Sequence, residues 1–441
     1  MSKQNFFSSA ISLIPLSYIL GTFVLNLNIL FIILNSLVLF TKGNRFKVIT
    51  LDKILIVFFS YIIITSFYNT AELYLFEKPE NYDFTILIKS FLFLRYLLLY
   101  FAIRLLIENN LINYKIIFFS FAALSLFVSA DVIYQFYNGK DLFGLTSPYP
   151  YKITGPFHTE AVAGGFIQRF SFFLFFSFAF FTKITDLRIK ILILTSLFFI
   201  TILAIILSAN RMPLLLFLFG IFLIFLNNKT LKKYILYILI SVFIMSTLTI
   251  GTNEKLKNTY YSFYESTKNI LSLYSYRITG VGKDLPIHRR PFYIHEFDSG
   301  YGTWKMNKYI GGGLKSFRYN CPKRDIKAKI NIPGKGESVT HERTTCNMHP
   351  HNYYLEILTD LGIVGLLLFF PIVFYAIKNS YKALHSENQK YFISPFFYIF
   401  IMEVFPIKSS GSFFTTNNSV IIFLTLAMIV GLSSKYKKEY S

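Results

Sequence analysis

Residues 191–207 read ILILTSLFFITILAIIL, residues 208–213 read Ser208-Ala-Asn-Arg211-Met-Pro213, and residues 214–226 read LLLFLFGIFLIFL. Two apolar runs flank one short polar turn that carries a single arginine. An α-helix needs about 20 apolar residues to cross a hydrocarbon core of about 30 Å, and in lipid a helix satisfies each backbone N–H and C=O within its own segment. The stretch predicts a transmembrane hairpin, with spans over about 189 to 207 and 212 to 227 and Arg211 at its turn.

The pattern recurs on both sides. Further candidate spans lie at about 8 to 24, 27 to 41, 51 to 69, 84 to 107, 115 to 137, 161 to 182, 233 to 250, 355 to 377, 391 to 406 and 418 to 433, which makes roughly twelve with the hairpin. Composition agrees, since 441 residues at 54% hydrophobic and 15% charged suit a bilayer and not water. Asn26 and Asn28 mark a tight turn between the first two spans, the alternative being that the stretch is one long tilted helix. The N-terminus, MSKQNFFSSAISLIPL, has one lysine ahead of its apolar run and no small-residue cleavage site, so it reads as the first span and not as a removable signal peptide. The expected architecture is an all-α polytopic membrane protein: an N-terminal membrane domain over 1–250, a polar loop domain over 251–352 and a C-terminal membrane domain over 353–441.

Charge gives the orientation. Lys+Arg 44 against Asp+Glu 23 leaves a formal +21, which points to anionic lipid or a phosphate-bearing substrate. Nucleic acid is excluded as a partner, because the basic residues are scattered between apolar spans and form no compact basic domain. Short loops holding Lys42, Arg45 and Lys47, then Lys183, Arg188 and Lys190, then Lys229, Lys232 and Lys233, then Lys378, Lys382 and Lys390 fall on one side with the tail Lys435, Lys437 and Lys438. By the positive-inside rule that side is the cytoplasm, with both termini in it. Connections carrying Glu72, Glu77, Glu80 and Asp83 face outward, as does the 251–352 loop. Within that loop, Tyr260 to Tyr276 predicts a short amphipathic helix on the membrane surface, and Gly311-Gly312-Gly313 and Asn331 to Gly336 are turn chemistry.

Chemistry-bearing residues gather at the outer side. Before the tenth span the chain reads Cys346-Asn-Met-His349-Pro-His351-Asn352, then nine residues, then Gly362-Ile-Val-Gly365. His351 thus stands at the water–membrane boundary, ahead of a helix whose glycines permit close packing, and an imidazole titrates near neutrality, so it can accept a hydroxyl proton. Arginines inside spans are costly unless paired or hydrated. Arg95 and Arg169 sit roughly 12 to 16 Å from the outer ends of their spans at about 1.5 Å per residue. Together with Arg211 and Lys89 they suit a pyrophosphate, whose oxygens accept bidentate guanidinium contacts. The alternative is snorkelling to headgroups, favoured for Arg104 and Lys89, open for Arg169, and disfavoured for Arg211 and Arg95. Cys321 and Cys346 could join His341, His349 and His351 around zinc, but the spacing fits no standard site. A disulfide is preferred, which would stabilise the loop by roughly 3 kcal/mol. No Asp-x-Asp pair, P-loop or Gly-x-Ser-x-Gly elbow occurs, which disfavours a soluble nucleotide-sugar donor.

These residues carry a resemblance. His351-Asn352 followed by Gly362-x-x-Gly365 resembles the signature of the O-antigen ligase and O-antigen polymerase superfamily, and Ser208-Ala-Asn-Arg211 is similar to that family's Ser-Arg motif. Gly311-Gly-Gly313-Leu-Lys-Ser-Phe317-Arg318, Thr154-Gly-Pro-Phe157 and Phe405-Pro406-x-Lys-Ser-Ser-Gly411 extend the likeness over about the C-terminal two-thirds. The resemblance implies a GT-C-like fold in a bacterial inner membrane and a metal-independent, cofactor-free inverting glycosyltransferase. It would move a glycan from undecaprenyl pyrophosphate to lipid A-core or a growing O-chain at the periplasmic face. His351 would be the base and Arg211 a catalytic cation, with Arg95, Arg169, Arg318, Arg290, Asn352 and His349 as substrate contacts. For the family's second loop arginine, Arg277, Arg289, Arg290 and His295 compete. A lipid-linked oligosaccharide flippase or other transporter is the alternative reading, and it would not need a histidine at the exit of a large outer loop.

Overall fold

The computed structural model describes residues 2–77, 84–228, 232, 235–281, 290–324, 327–332, 336–341, 346–385, 390–409 and 411–440. Of the residues named above, Glu80, Asp83, Lys229, Lys233, Arg289 and 333–335 lie outside that set, as do the side chains of Glu77, Arg277, His341, Lys437 and Lys438.

Apolar runs become helices wherever length allows. Among the described residues, eight helices are long and apolar enough to cross a membrane: Thr22–Thr41, Thr50–Leu75, Thr85–Glu108, Tyr114–Asn138, Ala163–Phe180, Leu187–Leu207, Tyr353–Leu384 and Thr416–Lys435. The expectation of about twelve meets local chemistry at four places. Residues 8 to 24 do not form one helix: Lys3–Ser12 gives way to Ile14–Ile19, whose first turn holds Pro15, a residue without an N–H for the preceding turn. Gly21, at φ +107°, then starts Thr22–Thr41. The break thus lies ahead of Asn26 and Asn28, and Asn28 sits inside the helix with its amide on Ser17 Oγ at 3.2 Å. The segments Arg211–Asn227 and Lys390–Glu403 are helices of 17 and 14 residues. Ile235–Gly251 pairs with Glu254–Tyr276 across a bend of 119°. The amphipathic stretch expected from Tyr260 to Tyr276 is thus part of a longer helix, Glu254–Thr279.

The structure is not purely α. Lys327–Ile332 and Gly336–His341 pair as an antiparallel hairpin inside the loop, in the register Lys327 to His341.

Helix ends meet in two clusters. At one, Arg104 is buried and bound to Asp52 Oδ1 at 2.7 Å, to Glu108 Oε1 at 2.5 Å and to the Lys47 carbonyl at 3.1 Å. The snorkelling expected of Arg104 is corrected here, because two carboxylates on adjacent helices neutralise the guanidinium where it stands. At the other end the connections 139–162, 208–210, 305–324, 346–352, 404–409 and 411–415 lie together. Asn352 donates to the Pro406 carbonyl at 2.8 Å, Tyr260 to the Ile206 carbonyl at 3.2 Å, and Asn69 to the Gly311 carbonyl at 3.1 Å.

Candidate active site

His351 is presented by how the helix behind it starts. Asn352 caps Tyr353–Leu384, its Oδ1 accepting the N–H groups of Tyr354 and Leu355 at 3.0 and 3.1 Å. His351 takes a left-handed backbone, φ +49°. Such strain in a residue with a Cβ costs on the order of 1 to 3 kcal/mol and persists where the surroundings impose it. One surrounding element is the helix Phe292–Trp304, which lays Gly300 against Pro350 and Leu355.

A second is a break in the histidine's own helix. Gly362 has φ +67° and interrupts the helical path. The chain 308–313 docks into the gap: Gly312 and Gly313 donate to the Thr359 and Asp360 carbonyls at 3.0 and 2.8 Å, and Ile363 donates to the Lys308 carbonyl at 2.9 Å. A Cβ at Gly362 would overlap the Tyr309 carbonyl, and one at Gly311 would overlap the Asp360 backbone. The close packing expected at Gly362 is therefore backbone against backbone, not helix against helix. Asp360 finishes the joint by accepting from Lys315 N at 2.6 Å and Phe317 N at 3.2 Å.

Around the imidazole stand one acid and one second histidine. His351 Nε2 lies 3.4 Å from Glu296 Oε1. The same oxygen accepts from Asn347 Nδ2 at 2.7 Å, and Glu296 is only 5% exposed. Burial raises the Glu296 carboxyl to about 7, opposed by the Asn347 hydrogen bond. Burial, and then the charge of Lys152, hold His351 below the usual imidazole range, so the ring is neutral at pH 7. The His349 ring centroid is 4.3 Å away; burial and then His351, Arg318 and Lys315 push it down to about 4. Its Nε2 is buried and has no hydrogen-bond partner in the structure. Cys321 and Cys346 are joined, S–S 2.00 Å, so neither sulfur is a free thiolate for a metal. Arg324 braces them, donating to Ser299 Oγ at 3.1 Å and contacting the Cys321 and Cys346 sulfurs at 3.4 and 3.7 Å.

Cations complete the group. Arg211 begins Arg211–Asn227, and the turn before it sits close because Gly164 offers no side chain: a Cβ there would press on Ser208 Oγ and Asn210 Cβ at 2.6 and 2.7 Å. Its guanidinium lies 5.4 Å from the Phe263 ring. Lys152 links the two halves, since burial and then Arg211 lower its affinity for a proton while it in turn depresses His351. Lys315 is lowered by burial and, among its neighbours, by Arg318 and Lys89. Like charges that penalise one another in this way are relieved by an anionic ligand.

Other expected contacts are bound elsewhere. Arg169 Nε and Nη2 grip Glu403 at 2.7 and 3.1 Å, with Asn418 Oδ1 at 2.6 Å and Tyr18 Oη at 3.2 Å, so its charge is already neutralised. Arg95 is tied to the Leu92 carbonyl, Tyr96 Oη and Thr416 Oγ1 at 2.6, 2.7 and 3.4 Å. Asn352 uses both ends of its amide on the chain, as cap and as donor to residues 406 and 408. Arg290 lies 3.9 Å from Asp298. Glu296, Lys152 and Lys315 were not singled out from sequence: a lone acid in 292–304 and a lysine in the 139–162 connection carry no spacing signal, Lys315 stood unremarked inside the Gly311 to Arg318 motif, and only the fold brings them to the histidines.

Residues 196–370 match a family model described as O-antigen ligase. That segment holds Arg211, Glu296, Lys315, Arg318, His349 and His351. No curated protein matches the chain.

Proposed function

We propose, from the match of residues 196–370 to the O-antigen ligase family model, that the chain transfers a glycan from undecaprenyl pyrophosphate to a hydroxyl of lipid A-core or of a growing O-chain at the periplasmic face of the bacterial inner membrane. The four shorter or broken apolar segments complete about twelve passes of a GT-C-like bundle, with membrane domains over 1–250 and 353–441 and the loop domain 251–352 between them.

In this reading neutral His351 takes the acceptor proton, the freed oxygen attacks the anomeric carbon with inversion, and the bond from that carbon to phosphate breaks. Arg211, Lys152, Lys315 and Arg318 receive the charge that grows on the departing pyrophosphate, the role a divalent metal has in other transferases. His349, neutral and with an unpartnered buried nitrogen, is placed to donate to or accept from a donor group. Arg290, beside Asp298 of the helix that carries Glu296, is proposed as a further donor contact. Arg95, Arg169 and Asn352 are given structural work.

The observation that supports the proposal is that the charge of Arg211 acts on Lys152 and that of Lys152 on His351, so each of the three groups lies within electrostatic reach of the next. His351→Ala and Arg211→Ala, each expressed in a deletion strain, are expected to leave lipopolysaccharide without added O-chain on a gel. Normal capping or lengthening by either variant overturns the catalytic assignment. The untransformed deletion strain separates the two acceptors: core alone indicates a ligase, core with one repeat a polymerase.

A further inference from the structure

A base that sits in a left-handed backbone and is neutral at pH 7 needs something to hold its ring and to stabilise it once protonated. We propose that Glu296 is the positioning residue for His351, holding the imidazole through Nε2 and stabilising the imidazolium that forms as the acceptor hydroxyl loses its proton. This rests on His351 being the base.

Three observations carry it. Glu296 Oε1 is 3.4 Å from His351 Nε2 and buried, a separation that shortens readily when a ligand closes the site. The carboxylate is itself oriented, because Asn347 donates to the same oxygen at 2.7 Å. Asn347 in turn follows Cys346, whose bond to Cys321 and contact with Arg324 anchor the strand to Ser299, three residues beyond Glu296 on the same helix. The disulfide thus braces both sides of the Glu296–Asn347 pair.

The proton balance follows. The neutral ring carries its hydrogen on Nε2, directed at Glu296, which leaves the Nδ1 lone pair for the acceptor. The acceptor O–H bond breaks as Nδ1–H forms, and the oxygen bonds to the anomeric carbon as pyrophosphate departs. The ring is then an imidazolium against a carboxylate, until water takes the Nδ1 proton. Among the described residues, the charged or titratable groups beside His351 are Glu296, His349 and Lys152, and of these Glu296 is the one that favours the protonated ring.

The test uses purified full-length protein, donor extracted from a strain lacking the enzyme, and release of undecaprenyl pyrophosphate as readout. Wild-type kcat/KM is expected to rise with pH through about 7, where Glu296 ionises. Glu296→Gln retains an acceptor for Asn347 but no charge. It is expected to lower kcat by about 10- to 100-fold with little change in donor KM, and to move the acid limb down to the lowered range of the His351 imidazole, which alone then sets it. Asn347→Ala, which removes the hydrogen bond that opposes the rise of the Glu296 carboxyl, is expected to give a smaller loss with the limb displaced above 7. A Glu296→Gln enzyme with wild-type kcat and an unmoved limb overturns the positioning role. If His351→Ala still releases undecaprenyl pyrophosphate at the wild-type rate, it is the base assignment that fails.

Discussion

Arg169 shows how a single buried charge can be read two ways. A guanidinium deep in a span invites a ligand, yet here it meets Glu403, and Lys408 Nζ lies 2.6 Å from the same carboxylate and 2.9 Å from Tyr353 Oη. Tyr18, Asn418 and Tyr353 supply the remaining hydrogen bonds, so the network joins the N-terminal segment to the last two helices. Breaking such a pair leaves charge that neither water nor protein compensates. Glu403→Gln, which strands two cations at once, is expected to destabilise the fold by about 3 to 5 kcal/mol, read as a lower melting temperature in detergent. An unchanged melt would show that the network is not structural. From sequence the arginine was visible; its partner, 234 residues away, was not.

At the scale of elements, the broken helix at Gly362 is the device that sets the histidine's height. Residues 308–313 insert their backbone into the gap, and Tyr61 Oη donates to the Leu361 carbonyl at 3.0 Å from a third element. Gly362→Ala faces both a left-handed φ and the Tyr309 carbonyl. A loss on the order of 3 kcal/mol or more is expected, seen as a collapse of the monodisperse peak on gel filtration. Gly251→Ala is the control: a Cβ there meets nothing within 4 Å, and its effect should stay within about 1 kcal/mol. Wild-type behaviour of Gly362→Ala would mean that the break is not required. The glycine spacing was legible from sequence, but its reading as helix–helix packing was not the one realised. A positive φ inside an apolar run leaves no periodic trace.

For the whole molecule, the proposed topology puts the two ends of the bundle on opposite faces of the membrane. Lys47, Arg104 and Glu108 gather at one end with Lys435, which donates to Asn110 at 2.7 Å, while Arg211, Lys152 and His351 gather at the other. Lys268, 62% exposed on Glu254–Thr279, should react as Lys268→Cys with a membrane-impermeant maleimide on intact inner-membrane spheroplasts. His385→Cys should react only after lysis. The native cysteines are bonded to each other and stay silent in both assays. The reverse pattern would place the site in the cytoplasm and exclude the proposed donor face.

Membrane class, the long polar loop, the Arg211 turn and the histidine motif were all written locally, in runs of apolar residues and in short spacings whose meaning depends on neighbours a few positions away. Partnerships between distant residues were not. The neutralisation of Arg104 and Arg169, the docking of 308–313 into the Gly362 break, and the placing of Glu296 and Lys152 beside His351 all depend on side chains tens to hundreds of positions apart. Spacing within one segment carries no record of such encounters, which are settled when helices pack and each buried charge must find a counter-charge or a hydrogen bond.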